Sequence, residues 1–140
     1  MTTWHKFILA ILLLIVQLGC AGSMKGVVRQ DAKRVEFSYT DSRVGAGSLQ
    51  ALLPGGERFE GKIVRIGSTD DQSDTAISGS ESIDFEDVKL FDGNAEATLS
   101  GSKGNIMKCR FNLADSIIGL SSGGFGLCQV SDGRVIDIFF

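Results

Sequence analysis

From residue 24 onward, apolar and polar side chains alternate in short runs, most cleanly near the C-terminus. There Met107, Cys109, Phe111 and Leu113 are separated by Lys108, Arg110 and Asn112, the period of two shown by a strand with one buried face and one wet face. Val35, Phe37 and Tyr39 alternate in the same way with Glu36, Ser38 and Thr40. Residues 24–29 are short and mixed and read as a first strand. Residues 48–53 and 58–66 flank Pro54-Gly55-Gly56-Glu57, where proline sets one φ and glycine supplies positive ones, so this stretch predicts a hairpin. In its second arm Phe59, Gly61, Ile63 and Arg65 share one side.

Residues 127–130 and 135–140 flank Ser131-Asp132-Gly133-Arg134, and Asp-Gly suits a tight hairpin turn. A two-residue loop at Asp132-Gly133 would set Val130 opposite Val135 and Cys128 opposite Asp137. Leu127, Ile136, Ile138 and Phe140 would then share the other face. Both faces carry apolar residues, as expected of a closed barrel with a partly covered outside, or of a sandwich. Residues 88–91 and 95–100 read as further strands joined through Asp92-Gly93-Asn94, and residues 67–87, polar and acidic, read as mostly loop.

No segment after residue 20 shows a helical apolar stripe, so the expected fold is all-β, with about eight or nine short strands. A small antiparallel β-barrel is expected, with a β-sandwich as the alternative. Eighteen glycines against a single proline suit a strongly curved sheet with many tight turns.

The N-terminus differs in kind. Lys6 precedes an unbroken apolar run, residues 7–16, too short for the ~20 residues that cross a bilayer but of the proportions of a secretory signal. Next comes Gln17-Leu18-Gly19-Cys20, followed by Ala21-Gly22-Ser23. This tetrapeptide resembles the bacterial lipobox, in which a small residue precedes a cysteine that is acylated and becomes the new N-terminus; Gln17 stands where the family usually has leucine. The resemblance implies a signal peptide at 1–19, lipidation of Cys20 with chains such as palmitate, a tether at 20–27 and a single β-domain at 28–140. Several acyl chains on one residue give stable attachment where one does not. With Ala21 and not aspartate after the cysteine, it also implies the outer membrane, with the domain facing the periplasm.

Loss of residues 1–19 leaves 121 residues, one domain by length. It removes Lys6, leaving 13 basic and 17 acidic side chains and a formal charge of −4; no basic patch suggests nucleic acid. It also removes the only histidine, His5, and the only tryptophan, Trp4. Ser-His-Asp and Cys-His catalysis and His-containing zinc sites are thereby excluded, and no enzyme, metal or cofactor is expected. A carboxylate pair acting on a glycoside would find only Tyr39 to stack on a sugar. With Cys20 given to lipid, Cys109 and Cys128 remain as an even pair in an oxidising compartment, and a disulfide is expected. No Cys-x-x-Cys spacing supports a redox role.

Three further stretches carry candidate chemistry. Asp70 to Asp92 holds eight carboxylates against Lys89 alone, but Asp70-Asp71-Gln72-Ser73-Asp74 lacks the glycine and distal glutamate of an EF-hand loop, and a solvated acidic loop is expected. Ser121-Ser122-Gly123-Gly124-Phe125-Gly126 leads into a strand with no Lys-Ser/Thr after it, so a bulge or close strand crossing is expected in place of an anion cradle. Ile117, Ile118 and Leu120 are apolar where a loop is normally polar. They either cover one end of the barrel or, with Phe125, form an exposed patch for a partner.

Met107-Lys108-Cys109-Arg110-Phe111, then Gly123-Gly124-Phe125-Gly126-Leu127-Cys128-Gln129, then Asp132-Gly133-Arg134-Val135-Ile136 resemble the C-terminal part of small uncharacterised lipoproteins of Gram-negative bacteria. Residues 53–61 are similar to a second segment of the same proteins. The resemblance covers under half of the chain after Cys20, brings no catalytic residue, and implies lipid anchoring and cysteine pairing. The function expected is that of a non-enzymatic envelope lipoprotein whose β-domain binds a protein partner or supports envelope integrity. One specific version is a lysozyme-inhibitor-like module; a carrier of a small apolar ligand is the alternative from another class.

Overall fold

The structure, a computed structural model, describes residues 20–41, 46–66 and 85–140. The signal expected at 1–19, the acidic stretch 70–74 and most of the loop expected at 67–87 lie outside the described residues. Eight antiparallel strands close into a barrel in chain order: β1 (Cys20–Val28), β2 (Arg34–Asp41), β3 (Ala46–Leu52), β4 (Arg58–Arg65), β5 (Ala95–Gly101), β6 (Ile106–Leu113), β7 (Gly124–Val130) and β8 (Val135–Phe139). Closure is made by β1 on β8, from Lys25↔Phe139 to Val28↔Ile136. A closed sheet leaves no unpaired edge for another chain to template on.

The alternation seen in the sequence is the inside and outside of this barrel. Phe37, Leu49, Phe59, Leu99, Met107, Phe111, Ile136 and Ile138 all point inward and are 0–1% exposed, each contributing about 1.5–3 kcal/mol relative to exposure. Eight strands leave an interior just wide enough for side chains, and three phenylalanines fit only because glycines face them. A Cβ on Gly101 would come within 2.7 Å of the Phe59 ring, and one on Gly126 within 2.5 Å of the Phe111 ring. At Gly124, the start of β7, a Cβ would strike the carbonyl of Asn112, the close strand approach expected for the glycine run.

Three expectations are corrected, and a choice between two readings is decided. Residues 20–27 are no tether: they form β1, in register with β2 from Cys20↔Asp41 to Val27↔Arg34, so the barrel includes them and does not begin at residue 28. Its alternation is blurred because Gly22 and Gly26 occupy inward positions, where the Tyr39 ring and the Phe37 and Ile136 side chains fill the space. Residues 88–91 are not a strand. They belong largely to a short helix, α1 (Glu86–Leu90), with Glu86 and Asp87 in its first turn and Lys89 in its last, charges that suit the helix dipole; four residues are too few to separate the two periods.

The last hairpin is one residue longer than the two-residue loop. Cys128 lies opposite Ile136, and Leu127 opposite Asp137. Ser131-Asp132-Gly133 form the loop, with Gly133 at φ 94° and Val130 N–H donating to the Arg134 carbonyl at 2.8 Å. The slip moves Cys128, Ile136 and Ile138 to one face, the interior. The outer face of β7 is also covered, because Val88 of α1 and Phe91 pack on Leu127 and Val135. Finally, of the two readings of the β6–β7 loop, Leu120 follows the first and not the exposed patch: it is 3% exposed, belongs to the core and covers one end of the barrel.

Candidate functional site

The barrel has two unlike ends. Four short hairpins, after β1, β3, β5 and β7, crowd the far end and are tied by a polar cluster. The Glu57 carboxylate, 3% exposed, accepts from Asn105 Nδ2 at 3.0 and 3.1 Å and from Arg134 Nη2 at 3.1 Å. A buried carboxylate is tolerated only with such partners. Arg134 also grips Asp132, Ser131 Oγ donates to Asn105 Oδ1 at 3.1 Å, and Arg29 pairs with Asp137 at 2.7 Å. Burial pushes the Asp132 carboxyl up, but hydrogen bonds from the Arg134 side chain and backbone, with its charge, outweigh this and hold the carboxyl below its ordinary value. The same contacts, led by Asp132, raise the Arg134 guanidinium. This cluster ties the hairpins together at that end.

The other end carries Cys20, the start of β1, and is closed by the β6–β7 loop. Leu120 drops into the barrel mouth while its N–H donates to Asp41 Oδ2 at 2.9 Å. Arg65 stands 3.6 Å from Asp41 and donates to the Ile117 carbonyl at 3.1 Å. Asp115 Oδ1 accepts from the N–H groups of Ile117 and Ile118 at 2.8 and 3.1 Å. The outcome is a braced loop whose tip holds two apolar side chains in the open, Ile117 at 85% and Ile118 at 57% exposure. Gly119, at φ 89°, turns the chain from this tip to the plug, and a Cβ there would meet Asp41 and Arg65.

The residues expected either to cover one end or to form an exposed patch, Ile117, Ile118, Leu120 and Phe125, are therefore divided. Ile117 and Ile118 form the tip and Leu120 the plug; Phe125 lies on the outer wall, half exposed, opposite Phe139 and edge-on to Phe91 at 5.8 Å. Cys109 and Cys128 lie opposite one another on β6 and β7 with Cα atoms 4.0 Å apart and sulfurs bonded, both buried. For Cys20 the structure places the backbone, at the first pair of β1 with β2.

Two features had no clear signal in the sequence. One is the Asp41–Arg65–Leu120 brace, whose members are distant in the chain and individually ordinary. The other is a concavity of about 420 Å³ on the outer wall across β1 to β4, where Lys25, Glu36, Gln50, Leu52 and Arg58 converge. It lies towards the hairpin end, since Leu52 ends β3 and Arg58 begins β4. Among the described residues no group of three or more His, Cys, Asp or Glu is placed to hold a metal, and no helix is long and apolar enough to cross a membrane. Comparison of the chain with protein-family models, curated proteins and solved structures finds no match in any of the three.

Proposed function

We propose that this chain is a non-enzymatic lipoprotein of the bacterial envelope, held through acylated Cys20 in the outer membrane, with a periplasm-facing barrel that binds a protein partner or supports envelope integrity. The observation that carries the binding part is the filled interior: Phe37, Phe59, Phe111 and their neighbours occupy the barrel, so whatever it meets must be met on its outside. That speaks against an apolar cargo, for which eight strands would need an emptier core. The outer-wall concavity of β1–β4 offers a protein both charges and an apolar contact, Leu52 being 52% exposed beside Lys25, Glu36 and Arg58. The anchoring part is supported by the apolar run at 7–16 and by Leu18-Gly19-Cys20, whose cysteine opens the first strand.

The test is the mass of the protein extracted gently from its native membranes, first under native conditions and then denatured with and without reductant. The expected denatured species begins at Cys20, carries acyl chains, and gains the two thiol hydrogens only on reduction. A species that retains residues 1–19, or a bare Cys20, overturns the anchor. A small molecule that leaves on denaturation overturns the binding-module reading in favour of the carrier.

A further inference from the structure

A lipid on Cys20 has no spacer between itself and the fold. Eight tether residues would have allowed a reach of roughly 28 Å, but those residues are strand β1, paired with β2 from Cys20↔Asp41 onward. The acylated residue would be part of the barrel rim, so that rim must rest at the bilayer surface. The same rim carries the tip of the β6–β7 loop, linked to the Cys20 strand pair by direct contacts: Asp41, opposite Cys20, accepts from Leu120 N–H, and Arg65 joins Asp41 to the Ile117 carbonyl.

We infer that Ile117 and Ile118 are a membrane-contacting tip which, resting on the lipoprotein reading above, enters the lipid interface and fixes the barrel's orientation. Lowering a loop into lipid is costly when its backbone groups are unpaired. Here part of that cost is removed beforehand: Asp115 accepts from the N–H groups of Ile117 and Ile118, and Arg65 donates to the Ile117 carbonyl. What the tip presents outward is two large apolar side chains. The barrel would then stand with its four hairpins, and the β1–β4 concavity beside them, turned towards the periplasm.

The test uses the acylated chain, which from Cys20 onward has no tryptophan of its own, in vesicles of phosphatidylethanolamine and phosphatidylglycerol, part of the lipid brominated on its acyl chains near the headgroup. One variant carries Ile117→Trp and another, at the far end, Lys103→Trp. The expected result is a blue-shifted emission at 117 that brominated lipid quenches strongly, and an emission at 103 that it leaves unchanged. Adding Ile118→Asp to the first variant should relieve the quenching. No quenching at 117 in a chain whose mass shows acylated Cys20 overturns the tip while leaving the anchor intact. A mass without acylation removes the anchor and the tip together. Emission at 117 that is blue-shifted in native membranes yet unquenched by brominated lipid assigns the tip to a protein partner and overturns the proposal.

Discussion

Breaking the Cys109–Cys128 bond should lower stability through the unfolded chain far more than through the native barrel. The two residues are already opposed by the β6–β7 ladder, with Met107↔Val130 and Phe111↔Gly126 on either side, so the native geometry hardly needs the bond. The unfolded chain does feel it. Closing a loop with a sequence separation of 19 removes conformational entropy worth about 3 kcal/mol in the chain-entropy model. Unfolding entropy of about 2.1 cal/mol/K per residue, taken over the 121 residues from Cys20, turns this into a fall in Tm of roughly 12 °C. Both sulfurs are buried, so reductant acts only after opening, and the protein should be reduced in denaturant and refolded with reductant present. Circular dichroism melts of oxidised and reduced protein measure the difference. The double variant Cys109→Ala/Cys128→Ala should melt near the reduced protein, within the ~1–2 kcal/mol added by the small cavity, and should ignore reductant. Equal Tm values for fully oxidised and fully reduced protein would mean that the bond does not restrict the unfolded chain in this way.

Three other outcomes follow from the same contacts. Leu120→Ala, which empties the plug, should cost about 3 kcal/mol by urea unfolding; a loss no larger than that of an exposed substitution would mean that the loop does not close the barrel. Glu57→Ala should cost about 3 kcal/mol, towards the low end for a broken buried pair because Arg134 keeps Asp132 and some solvent. A double-mutant cycle with Arg134→Ala should return a coupling of ~1 kcal/mol or more, and strict additivity would deny the contact. Asp132, held below its ordinary value by Arg134, contributes stability above the unfolded carboxyl pKa of about 3.9 and loses it as pH falls through the lower folded value. Asp132→Asn should therefore be less stable than the parent at neutral pH and equal to it in strong acid; a constant gap across denaturation curves from neutral to acid pH would sink this assignment.

Strands β2, β4 and β6 were legible because each has one wet and one buried face, and that contrast is written directly into the alternation of Val35, Phe37 and Tyr39 or of Met107, Cys109 and Phe111. Strand β7 was only half legible: Leu127 and Gln129 face outward yet are buried, Leu127 beneath Val88 of α1, and no local pattern reports a cover that comes from elsewhere in the chain. The hairpin at residues 131–133 shows the same limit more finely. Asp132-Gly133 marked the turn, but one residue of loop length decides which face of β8 is core, and that choice is made by the neighbours across the barrel.

Residue order alone carries the all-β character, most of the turn positions, the pairing of Cys109 with Cys128 as an expectation, and the absence of histidine after residue 19. Those follow from side-chain period, backbone preference and residue count, which are local or compositional. It took the assembled barrel to settle that the sheet closes, that residues 20–27 are wall and not tether, and that Leu120 turns inward while Ile117 and Ile118 turn out. Each of these depends on which distant groups meet: β1 on β8, Cys20 on Asp41, Asp41 and Arg65 on the β6–β7 loop. Contacts between residues far apart in the chain leave little periodic trace in it, because what selects them is the space and the unpaired polar groups that the rest of the fold leaves open.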